Sequence, residues 1–315
     1  MRTKKEIRFS IIIIHRNDLN RLLNVLTSIF KYKSASDEVI IVDNFSSDFS
    51  IRDFENHKLS KETKIIKNKC NAGYGYACNQ GMKKAKGKYF LLCNNDIEIR
   101  NNTLSYFENF FKIDPTAGLI GPQMYSTSGK KMHSYSTIEP GLKTQLDLIG
   151  RPNKSKTIRS FDRVWTLRGA CLAVRRKMTD EIGMYDEEFY FYHEETEWCI
   201  RINRSENWKV MFSPEVSISH VGGASTRSLF PQSRIEFFRS RLIFWSKVFP
   251  RHKVLILYLW NMPKIILDCL IYLILTIITF GMVKKFKNKF IDRLVQISWI
   301  AAGKPNSWGL PDKCN

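Results

Sequence analysis

Apolar runs and polar clusters alternate along the first hundred residues of this chain. A β-branched run at 9–14 is typical of a strand buried on both faces. Residues 19–30 repeat their apolar positions every three or four residues, which predicts a helix. The alternation continues, with strands predicted at 38–42, 64–67 and 88–93 and a further helix at 75–85. A βαβ series of this kind predicts an α/β, Rossmann-like fold with a mostly parallel sheet flanked by helices.

Each of these four strands is followed at once by a polar cluster, at 15–17, 43–48, 68–71 and 94–96. Helix capping explains a single cluster of Asn, Asp and Ser. Four clusters at equivalent positions indicate a ligand site, because open α/β sheets bind ligands at the carboxyl ends of their strands. Carboxylates and amides that converge there suit a polar ligand, and an anionic ligand bridged by a metal ion is consistent with them.

Composition excludes a disordered or collagen-like chain, since 43% of the 315 residues are hydrophobic and 25% are charged. The length is sufficient for one large domain or two small ones. Fifty Lys and Arg against thirty Asp and Glu give a net charge of +20. This excess predicts an anionic partner, which is a nucleic acid, an acidic membrane or a phosphorylated ligand.

The seven cysteines are odd in number and include no CxxC pair, and no His cluster has metal-ligand spacing. We therefore expect neither a zinc site nor a disulfide framework. The first apolar run is only six residues long, which is too short for a signal peptide. These observations predict a reduced, cytosolic environment.

The last 89 residues, 227–315, are more basic and more apolar than the rest, with fifteen Lys and Arg against four acids. Residues 265–283 form an apolar stretch with Asp268 as its one charged residue, and four lysines follow it. Its length is close to the ~20 residues of a membrane helix. Residues 232–253 mix aromatic and cationic side chains, which suits a helix at an anionic lipid surface. The alternative is that both segments are buried helices of a soluble domain. Whether 265–283 spans, re-enters or lies flat stays open.

Four motifs in order resemble the family 2 glycosyltransferases, particularly their rhamnosyltransferase-like branch. The run 71–81 and the strand that leads into Asn94-Asn95-Asp96 carry the strongest likeness. Residues 42–48 resemble the family's first nucleotide-binding loop, 183–201 its acidic catalytic segment and 219–225 its closing strand. Together the motifs cover roughly residues 9–225 in the family's order.

This resemblance implies a GT-A catalytic domain over 1–226, with a nucleotide-sugar half (1–100) and an acceptor half (101–226), followed by membrane-associating helices at 227–315. It implies inverting transfer from a nucleotide-diphosphate sugar, with dTDP-rhamnose or a UDP-sugar as candidate donors, and a divalent cation, Mn²⁺ or Mg²⁺. The acceptor would be a hydroxyl group of a lipid-linked glycan or polysaccharide at the cytoplasmic face of a membrane, where an anionic surface is a partner and nucleic acid is not.

The resemblance also implies roles for single residues. Asp43 would recognise the base or ribose, with Asn17 nearby. Asp96 stands at the last position of a DxD-type motif and would bind metal and diphosphate, although Asn94 replaces the first acid and lowers the expected metal affinity. His220 matches a position that completes the metal shell, and a satisfied strand-end histidine is the alternative. The remaining donor-binding candidates are Asn71, Gly73, Asn79, Asn95 and Arg168, the last of which could also contact the acceptor or lie on the surface.

The acidic segment contains the candidate base. A sugar hydroxyl is a poor nucleophile, so a carboxylate must take its proton as the new bond forms. Glu195 stands where the family usually has Asp and is the first candidate, with Glu194 as the second or as an acceptor-positioning group. The alternative is an acidic helix start favoured by the helix dipole, with Glu197 and Arg201 paired one turn apart. A helix that begins near His193 would satisfy both interpretations.

Two other function classes fit parts of the sequence. A basic nucleic-acid-binding or membrane-binding protein without catalysis fits the net charge, but no helix-turn-helix, zinc-finger or RNP-like pattern that would indicate nucleic-acid binding is present. A sugar-nucleotide pyrophosphorylase would need a glycine-rich loop after the first strand, and residues 15–18 contain no glycine. The Gly73-Tyr-Gly75 sequence lacks the third glycine of a dinucleotide fingerprint and no Walker A motif occurs, which disfavours NAD and ATP enzymes.

Overall fold

The computed structural model of the protein describes residues 6–100, 102–146, 156–221 and 229–314. The strands in these ranges are β1 (Phe9–His15), β2 (Glu38–Asp43), β3 (Thr63–Lys67), β4 (Tyr89–Asn94), β5 (Ile97–Ile99), β6 (Ala117–Tyr125), β7 (Tyr135–Ser136), β8 (Asp162–Arg163), β9 (Thr166–Leu167), β10 (Cys171–Arg175) and β11 (Lys209–His220). The helices are α1 (Leu19–Tyr32), α2 (Ser50–Glu55), α3 (Tyr74–Lys84), α4 (Thr103–Ile113), α5 (Leu142–Leu146), α6 (Arg176–Ile182), α7 (Glu194–Asn203), α8 (Gln232–Val248), α9 (Arg251–Ile278) and α10 (Lys284–Ala301), with a short 3-10 helix at Lys58–Glu62.

The main sheet has the strand order β3-β2-β1-β4-β10-β6-β11-β5, and β8 pairs with β11. Strands β3, β2, β1 and β4 are parallel neighbours. Strand β10 is antiparallel to both β4 and β6, and β5 is antiparallel to β11. The predicted α/β class is confirmed: the first half of the chain forms four consecutive parallel strands, and the second half is mixed, with β11 parallel to β6.

The first strand shows how the sheet is buried. Its side chains point alternately to opposite faces. Phe9, Ile11 and Ile13 belong to the hydrophobic core that contains α1 and α4, whereas Ile12 and Ile14 belong to the core that contains α3 and α7. The strand is buried along its whole length, as its β-branched run predicted.

The six predicted elements of the first hundred residues lie within two residues of their predicted ends, whereas α2, the 3-10 helix and β5 were not predicted. Hydrophobic periodicity is sufficient there because each element buries a face against the same sheet. Residues 222–225 of the closing motif and the predicted domain boundary at 226 lie outside the described residues.

Helix α8 corrects the first membrane prediction. Its aromatic residues Phe238, Phe244 and Trp245 are almost fully buried, in a third core that α8 forms with α7, α9 and α10. Two of its three arginines, Arg239 and Arg241, also point inward. Arg239 donates to the carbonyl of Trp308 at 2.7 Å, and Arg241 donates to the carbonyl of Gln145 at 3.1 Å. This helix is therefore a structural link between the sheet domain and the last two helices, and the prediction that it faces lipid is wrong.

Helix α9 is longer than predicted and ends earlier. It begins at Arg251, continues through Pro263 and stops at Ile278, so residues 279–283 of the predicted apolar segment form the turn to α10. Only a narrow stripe, which includes Leu257, Ile265 and Cys269, is buried. Among the described residues it is the one helix whose length and apolar composition would allow it to cross a membrane.

Cys70 and Cys314 form a disulfide, with their Cα atoms 5.1 Å apart. The odd cysteine count disfavoured a disulfide framework, and it could not exclude one bridge between residues 244 positions apart. The other five cysteines are free and buried: Cys78, Cys93, Cys171, Cys199 and Cys269.

Candidate functional site

A cavity of about 570 Å³ opens where the ends of β1 and β4 meet the loop after β2 and the start of α7. This is the edge of the sheet at which α/β folds bind ligands. Most of the predicted site residues meet there. Those that line the cavity are Asn71, Gly73, Asn95, Asp96, Arg168, Glu194, Glu195 and His220.

The pairing of β5 with β11 places Asp96 beside His220. Chain reversal after β4 puts Ile97 opposite His220 in an antiparallel register. The Nε2 atom of His220 is then 3.2 Å from Oδ1 of Asp96. That contact lacks hydrogen-bond geometry, so neither ring nitrogen of His220 has a hydrogen-bond partner among the described residues, and neither does the buried Oδ1 atom of Asn94. A carboxylate and an imidazole thus face each other with ligand capacity unused.

These atoms are suitable ligands for a divalent cation. Mn²⁺ accepts both imidazole and carboxylate ligands, and amide oxygen is a further hard donor. Within the described ranges, no group of three or more His, Cys, Asp or Glu side chains has metal-binding geometry. Asp96 and His220 therefore supply too few ligands to enclose a cation, and oxygen atoms of a bound ligand or water would have to supply the others.

The first turn of α7 presents two carboxylates to the cavity. His193 precedes the helix with a left-handed backbone, φ 67°, and so turns the chain into it. Glu194 and Glu195 follow, and the Oε2 atom of each is buried without a hydrogen-bond partner among the described residues. Glu197 instead pairs with Arg201 at 2.9 Å. This helix start is therefore internally paired at Glu197 and Arg201 and also presents two carboxylate oxygens without partners to the cavity.

Burial and charge separate the two carboxylates. Burial raises the pKa of both carboxyl groups above the ordinary range, and the neighbouring charge of Glu195 raises that of Glu194 further. The guanidinium of Arg168, an exposed side chain at the cavity wall, lowers the pKa of Glu195 and so opposes its burial. The charge of Arg168 therefore favours the ionised form of Glu195 relative to that of Glu194.

The buried amide of Asn44 joins the loops that follow β2 and β3. Its Nδ2 donates to Oδ1 of Asn71 at 2.8 Å and to the carbonyl of Gly73 at 3.2 Å. Its Oδ1 accepts from Nδ2 of Asn68 at 3.0 Å and from the backbone N–H of Ala72 at 3.1 Å. Both ends of the Asn44 amide are satisfied, so residues 68–73, here called the donor loop, are held in place without a ligand.

Only glycine fits at position 73. Its φ of +93° is unfavourable for other residues, and a Cβ atom there would lie 2.4 Å from the carbonyl oxygen of Tyr190. That carbonyl accepts the backbone N–H of Tyr74 at 3.0 Å. The close approach joins the donor loop to the segment that leads into α7.

Two predicted donor-binding residues, Asp43 and Asn17, do not line the cavity. Asp43 is buried and accepts from the hydroxyl of Ser46 at 2.5 Å. Asn17 accepts the backbone N–H of Ser47 at 2.8 Å. Both side chains are directed into the loop after β2, which they shape, and Asn44 takes the place at the cavity wall.

Asn79, a third predicted donor-binding residue, does not line the cavity either. It lies on the buried face of α3, where its Nδ2 donates to the carbonyl of Tyr185 at 2.9 Å and to Oε1 of Glu187 at 2.8 Å. Its Oδ1 accepts the backbone N–H of Tyr185 at 3.1 Å. The side chain therefore fastens α3 to the segment before α7 and has no part in the cavity wall.

A buried histidine holds Asn95 in position. The Nδ1 atom of His15 lies 3.1 Å from the amide nitrogen of Asn95, and its Nε2 atom lies 2.8 Å from the hydroxyl of Ser50. An amide nitrogen can only donate, so Nδ1 accepts and Nε2 carries the proton. Burial lowers the pKa of His15 to about 4, which keeps the ring neutral at neutral pH.

Among the cavity residues that belong to the polar clusters, Arg16 and Asn44 were not predicted as site residues, and Asn94 was considered only as a missing acid. All three belong to the polar clusters that follow β1, β2 and β4. The signal was therefore present in the sequence, and it did not indicate which member of each cluster faces inward.

The family described as glycosyl transferase family 2 matches residues 10–183. The low-salt glycan biosynthesis hexosyltransferase Agl10 of Haloferax volcanii is 24% identical over 200 residues, which cover 62% of this chain and 61% of that protein. The poly-beta-1,6-N-acetyl-D-glucosamine synthase of Staphylococcus epidermidis is 21% identical over 174 residues, 55% of this chain and 40% of that protein. The chain thus spans less than two thirds of these relatives.

Solved structures with the same fold extend over more of the chain. The mannosyltransferase PcManGT of Pyrobaculum calidifontis, in complex with GDP-Man and Mn²⁺, has a TM-score of 0.55 at 13% identity and covers 94% of this chain and 86% of its own. S. aureus TarS 1-349 has a TM-score of 0.51 at 15% identity, with 94% and 92% covered. The predicted GT-A fold is confirmed.

Proposed function

The chain belongs to glycosyl transferase family 2, and we propose that it transfers a sugar from a nucleotide-diphosphate donor to a hydroxyl group of a membrane-bound glycan acceptor. One observation carries the proposal: a single cavity contains the Asp96–His220 pair and the carboxylates of Glu194 and Glu195, each with an Oε2 atom that has no hydrogen-bond partner among the described residues. The first pair suits a metal-bridged diphosphate, and the second suits removal of a proton from the acceptor.

The donor would lie against the donor loop, with its diphosphate near Asp96 and His220. These two side chains would hold a divalent cation, Mn²⁺ or Mg²⁺, together with phosphate oxygens. Such a cation neutralises the charge that develops on the leaving diphosphate. Neighbours of the same fold were solved with UDP or GDP-Man and Mn²⁺, which supports a donor of this chemical class. UDP-sugars and dTDP-rhamnose remain our candidate donors.

Glu195 would act as the general base. The acceptor hydroxyl gives its proton to the Glu195 carboxylate as its oxygen bonds to the anomeric carbon, and the bond from that carbon to the diphosphate breaks. Glu194 retains its own proton and would donate a hydrogen bond that positions the acceptor. Attack from the face opposite the leaving group inverts the anomeric configuration, so we propose an inverting reaction.

The outer face of α9 would rest on a membrane. Leu259 and Ile277 on this helix are 67% and 64% exposed, and Phe280 in the following turn is 88% exposed. Lysines 284, 285, 287 and 289 follow directly. An apolar face beside a cationic cluster matches a bilayer that contains anionic lipid. We propose this as the partner surface, at the cytoplasmic face of the membrane and next to a lipid-linked acceptor.

The packing of α10 favours an interfacial position of α9 over a transmembrane one. Arg293 lies 3.2 Å from Asp268, and Nζ of Lys289 donates to the hydroxyl of Tyr272 at 2.8 Å, so α10 runs antiparallel along α9. If α9 crossed the bilayer, the charged first half of α10 would enter the hydrocarbon beside it, at high cost. The two helices together would therefore lie flat.

Vesicle flotation tests the membrane proposal. We expect the protein to float with vesicles that contain phosphatidylglycerol, and Ile274→Glu to abolish this by placing a charge on the apolar face. Ile113→Glu is the matched control, because Ile113 is 66% exposed on α4, far from α9 in the sequence. Alkaline carbonate should release the bound protein, and retention in the membrane would show that α9 spans it.

Calorimetry tests the donor site. UDP, dTDP, GDP and CDP would be titrated into the full-length protein with and without Mn²⁺. We expect one nucleotide to bind in a Mn²⁺-dependent manner and the Asp96→Ala variant to lose that dependence. Mn²⁺ alone should bind weakly, because Asp96 and His220 supply too few ligands. Failure of folded wild-type protein to bind any of the four nucleotides would refute the proposed function.

A further inference from the structure

The chain after α10 returns to the cavity. Residues 305–314, here called the strap, cross the donor loop. The strap is anchored at its start, where Arg239 donates to the carbonyl oxygens of Pro305 at 2.9 Å and Trp308 at 2.7 Å. Leu310 is 7% exposed and lines the cavity. The strap therefore forms part of the wall that a donor would meet.

The strap pairs with the donor loop at Asn71. The backbone N–H of Asn71 donates to the carbonyl of Asp312 at 2.9 Å, and the N–H of Cys314 donates to the carbonyl of Asn71 at 3.3 Å. The disulfide between Cys70 and Cys314 joins the same two segments covalently. Residues more than two hundred positions apart thus form one structural unit at the cavity edge.

A buried charge cluster holds the strap on its other side. The carboxylate of Glu236 is fully buried and forms ion pairs with Arg239, at 2.9 Å, and with Lys313 of the strap. The Nζ atom of Lys313 also lies 4.6 Å from the ring centre of Tyr190. Removal of one partner from a buried ion pair is strongly destabilising, so the strap is held firmly.

Asp312, which precedes Lys313 in the strap, contacts an arginine that lines the cavity. Asp312 forms an ion pair with Nη2 of Arg16, and Arg16 lines the cavity. The Nε atom of Arg16 is buried without a hydrogen-bond partner among the described residues. Asp312 therefore occupies one part of the guanidinium and leaves donor capacity unused at the cavity.

We propose that the strap completes the donor pocket and that Asp312 is a positioning residue, which orients Arg16 toward the diphosphate of the donor. The inference rests on the proposed function, because it requires a nucleotide-diphosphate ligand. A free arginine side chain loses rotamer freedom when it binds an anion, at a cost of about 0.5–1.5 kcal/mol. Asp312 removes that cost in advance, and the planar guanidinium retains further N–H groups for phosphate oxygens.

A double-mutant cycle tests this role in the full-length protein. The probe is whichever of UDP, dTDP, GDP and CDP binds the wild type with Mn²⁺. We expect Asp312→Ala to weaken binding about three- to tenfold, which matches the ordering cost of one side chain. Arg16→Ala should weaken binding at least as much, and the double variant should equal Arg16→Ala alone. Asp312→Glu should recover most of the affinity, which a merely structural loss would not allow.

The control and the opposing outcomes are distinct. Asp53→Ala removes an exposed carboxylate that pairs with Arg52 at 3.3 Å outside the cavity wall and should leave affinity unchanged. Titrations with and without dithiothreitol separate the covalent link from the ion pair, and the Asp312→Ala effect should persist in both. Unchanged nucleotide affinity of Asp312→Ala would show that Asp312 does not position Arg16, and tighter binding would show that Asp312 competes with the diphosphate for Arg16. Either result would overturn the strap proposal alone. Absence of nucleotide binding by wild-type protein would overturn the proposed function and the strap proposal together.

Discussion

The two sides of the cavity differ in how their polar atoms are satisfied. On the donor side, both ends of the Asn44 amide are hydrogen-bonded within the protein. On the catalytic side, buried atoms lack partners among the described residues. Of twelve such side-chain atoms in these ranges, six belong to cavity-lining residues: Arg16, Asn94, Glu194, Glu195 and the two ring nitrogens of His220. Side chains of the protein hold the donor loop, whereas the side with Glu194, Glu195 and His220, here called the catalytic side, keeps buried polar atoms with unused hydrogen-bonding capacity.

This difference has an energetic consequence. A buried polar group without a partner costs about 1–3 kcal/mol, so the catalytic side is a source of instability. A substitution there should reduce the rate and leave the protein as stable as before, or more so. A substitution on the donor side should reduce stability and donor affinity together. Four predictions test the contrast, from the largest expected effect to the smallest.

The largest effect is expected for Glu195→Gln. Loss of the general base should lower kcat by about 10²–10⁴-fold, with donor affinity and Tm nearly unchanged. Release of nucleoside diphosphate, measured with the donor that calorimetry identifies, gives the rate. Glu194→Gln is the matched control one residue away and should lower kcat far less. A larger loss of kcat in Glu194→Gln than in Glu195→Gln would show that Glu194 is the general base.

The next effect concerns the donor loop and reverses the pattern. Gly73→Ala should lower both stability and nucleotide affinity, because backbone strain of about 1–3 kcal/mol is added to a contact with the Tyr190 carbonyl. Gly129→Ala is the control, since its φ is +77° and nothing lies within 4 Å of the added methyl group. The difference in Tm between the two variants measures the close approach alone. Equal decreases in Tm for the two variants would show that the contact between position 73 and the Tyr190 carbonyl does not contribute to stability.

The third effect is a pH dependence. Because the pKa of the Glu195 carboxyl is raised, the base takes up a proton at a higher pH than an ordinary glutamate does. The rate should therefore fall in acid by about tenfold per pH unit once that pKa is passed. Arg168→Ala removes the charge that lowers this pKa, so it should move the acid limb to higher pH, whereas Arg168→Lys should not. A profile of kcat against pH that is identical in all three proteins would contradict the assignment.

The smallest effect is a gain in stability. The pKa of Glu194 is higher in the folded chain than in the unfolded one, so folding binds the proton more tightly and stability falls as pH rises through this region. Glu194→Gln removes that penalty. We expect Tm at pH 8 to rise by about 2 °C and Tm at pH 4 to stay the same. Calorimetric scans at both pH values check this, and a loss of stability at pH 8 would contradict it.

The sequence predicted much of the site because its polar clusters directly follow strands that the hydrophobic pattern identifies. Asn71, Asn95 and Asp96 could be placed at one edge of the sheet from strand periodicity and the direction of parallel strands. Asp43 and Asn79 were also predicted to bind the donor, but they do not line the cavity, and the reason is physical. A polar side chain at a strand end or on a helix can serve the protein's own backbone or a ligand, and the pattern of residues is the same in both cases.

The same ambiguity affected α8 and α9, whose apolar residues extend around much of each helix. Periodicity reports how much apolar surface a helix carries and does not report what covers it. Trp245 is buried by neighbouring helices, whereas Leu259 is left exposed. Only the packing of α8 between α7, α9 and α10 distinguished the two helices.

The sequence alone determined the α/β class, the four parallel strands and the acidic start of α7, because each depends on neighbours within a few residues. Tertiary structure decided the pairing of Asp96 with His220 through the register of β5 and β11, and the seating of Asp312 on Arg16, which is 296 positions away. Local periodicity carries no information on contacts that are closed only by the folding of the whole chain. Both sides of the cavity depend on such contacts, because Gly73 of the donor loop lies against Tyr190 and Cys70 is bonded to Cys314.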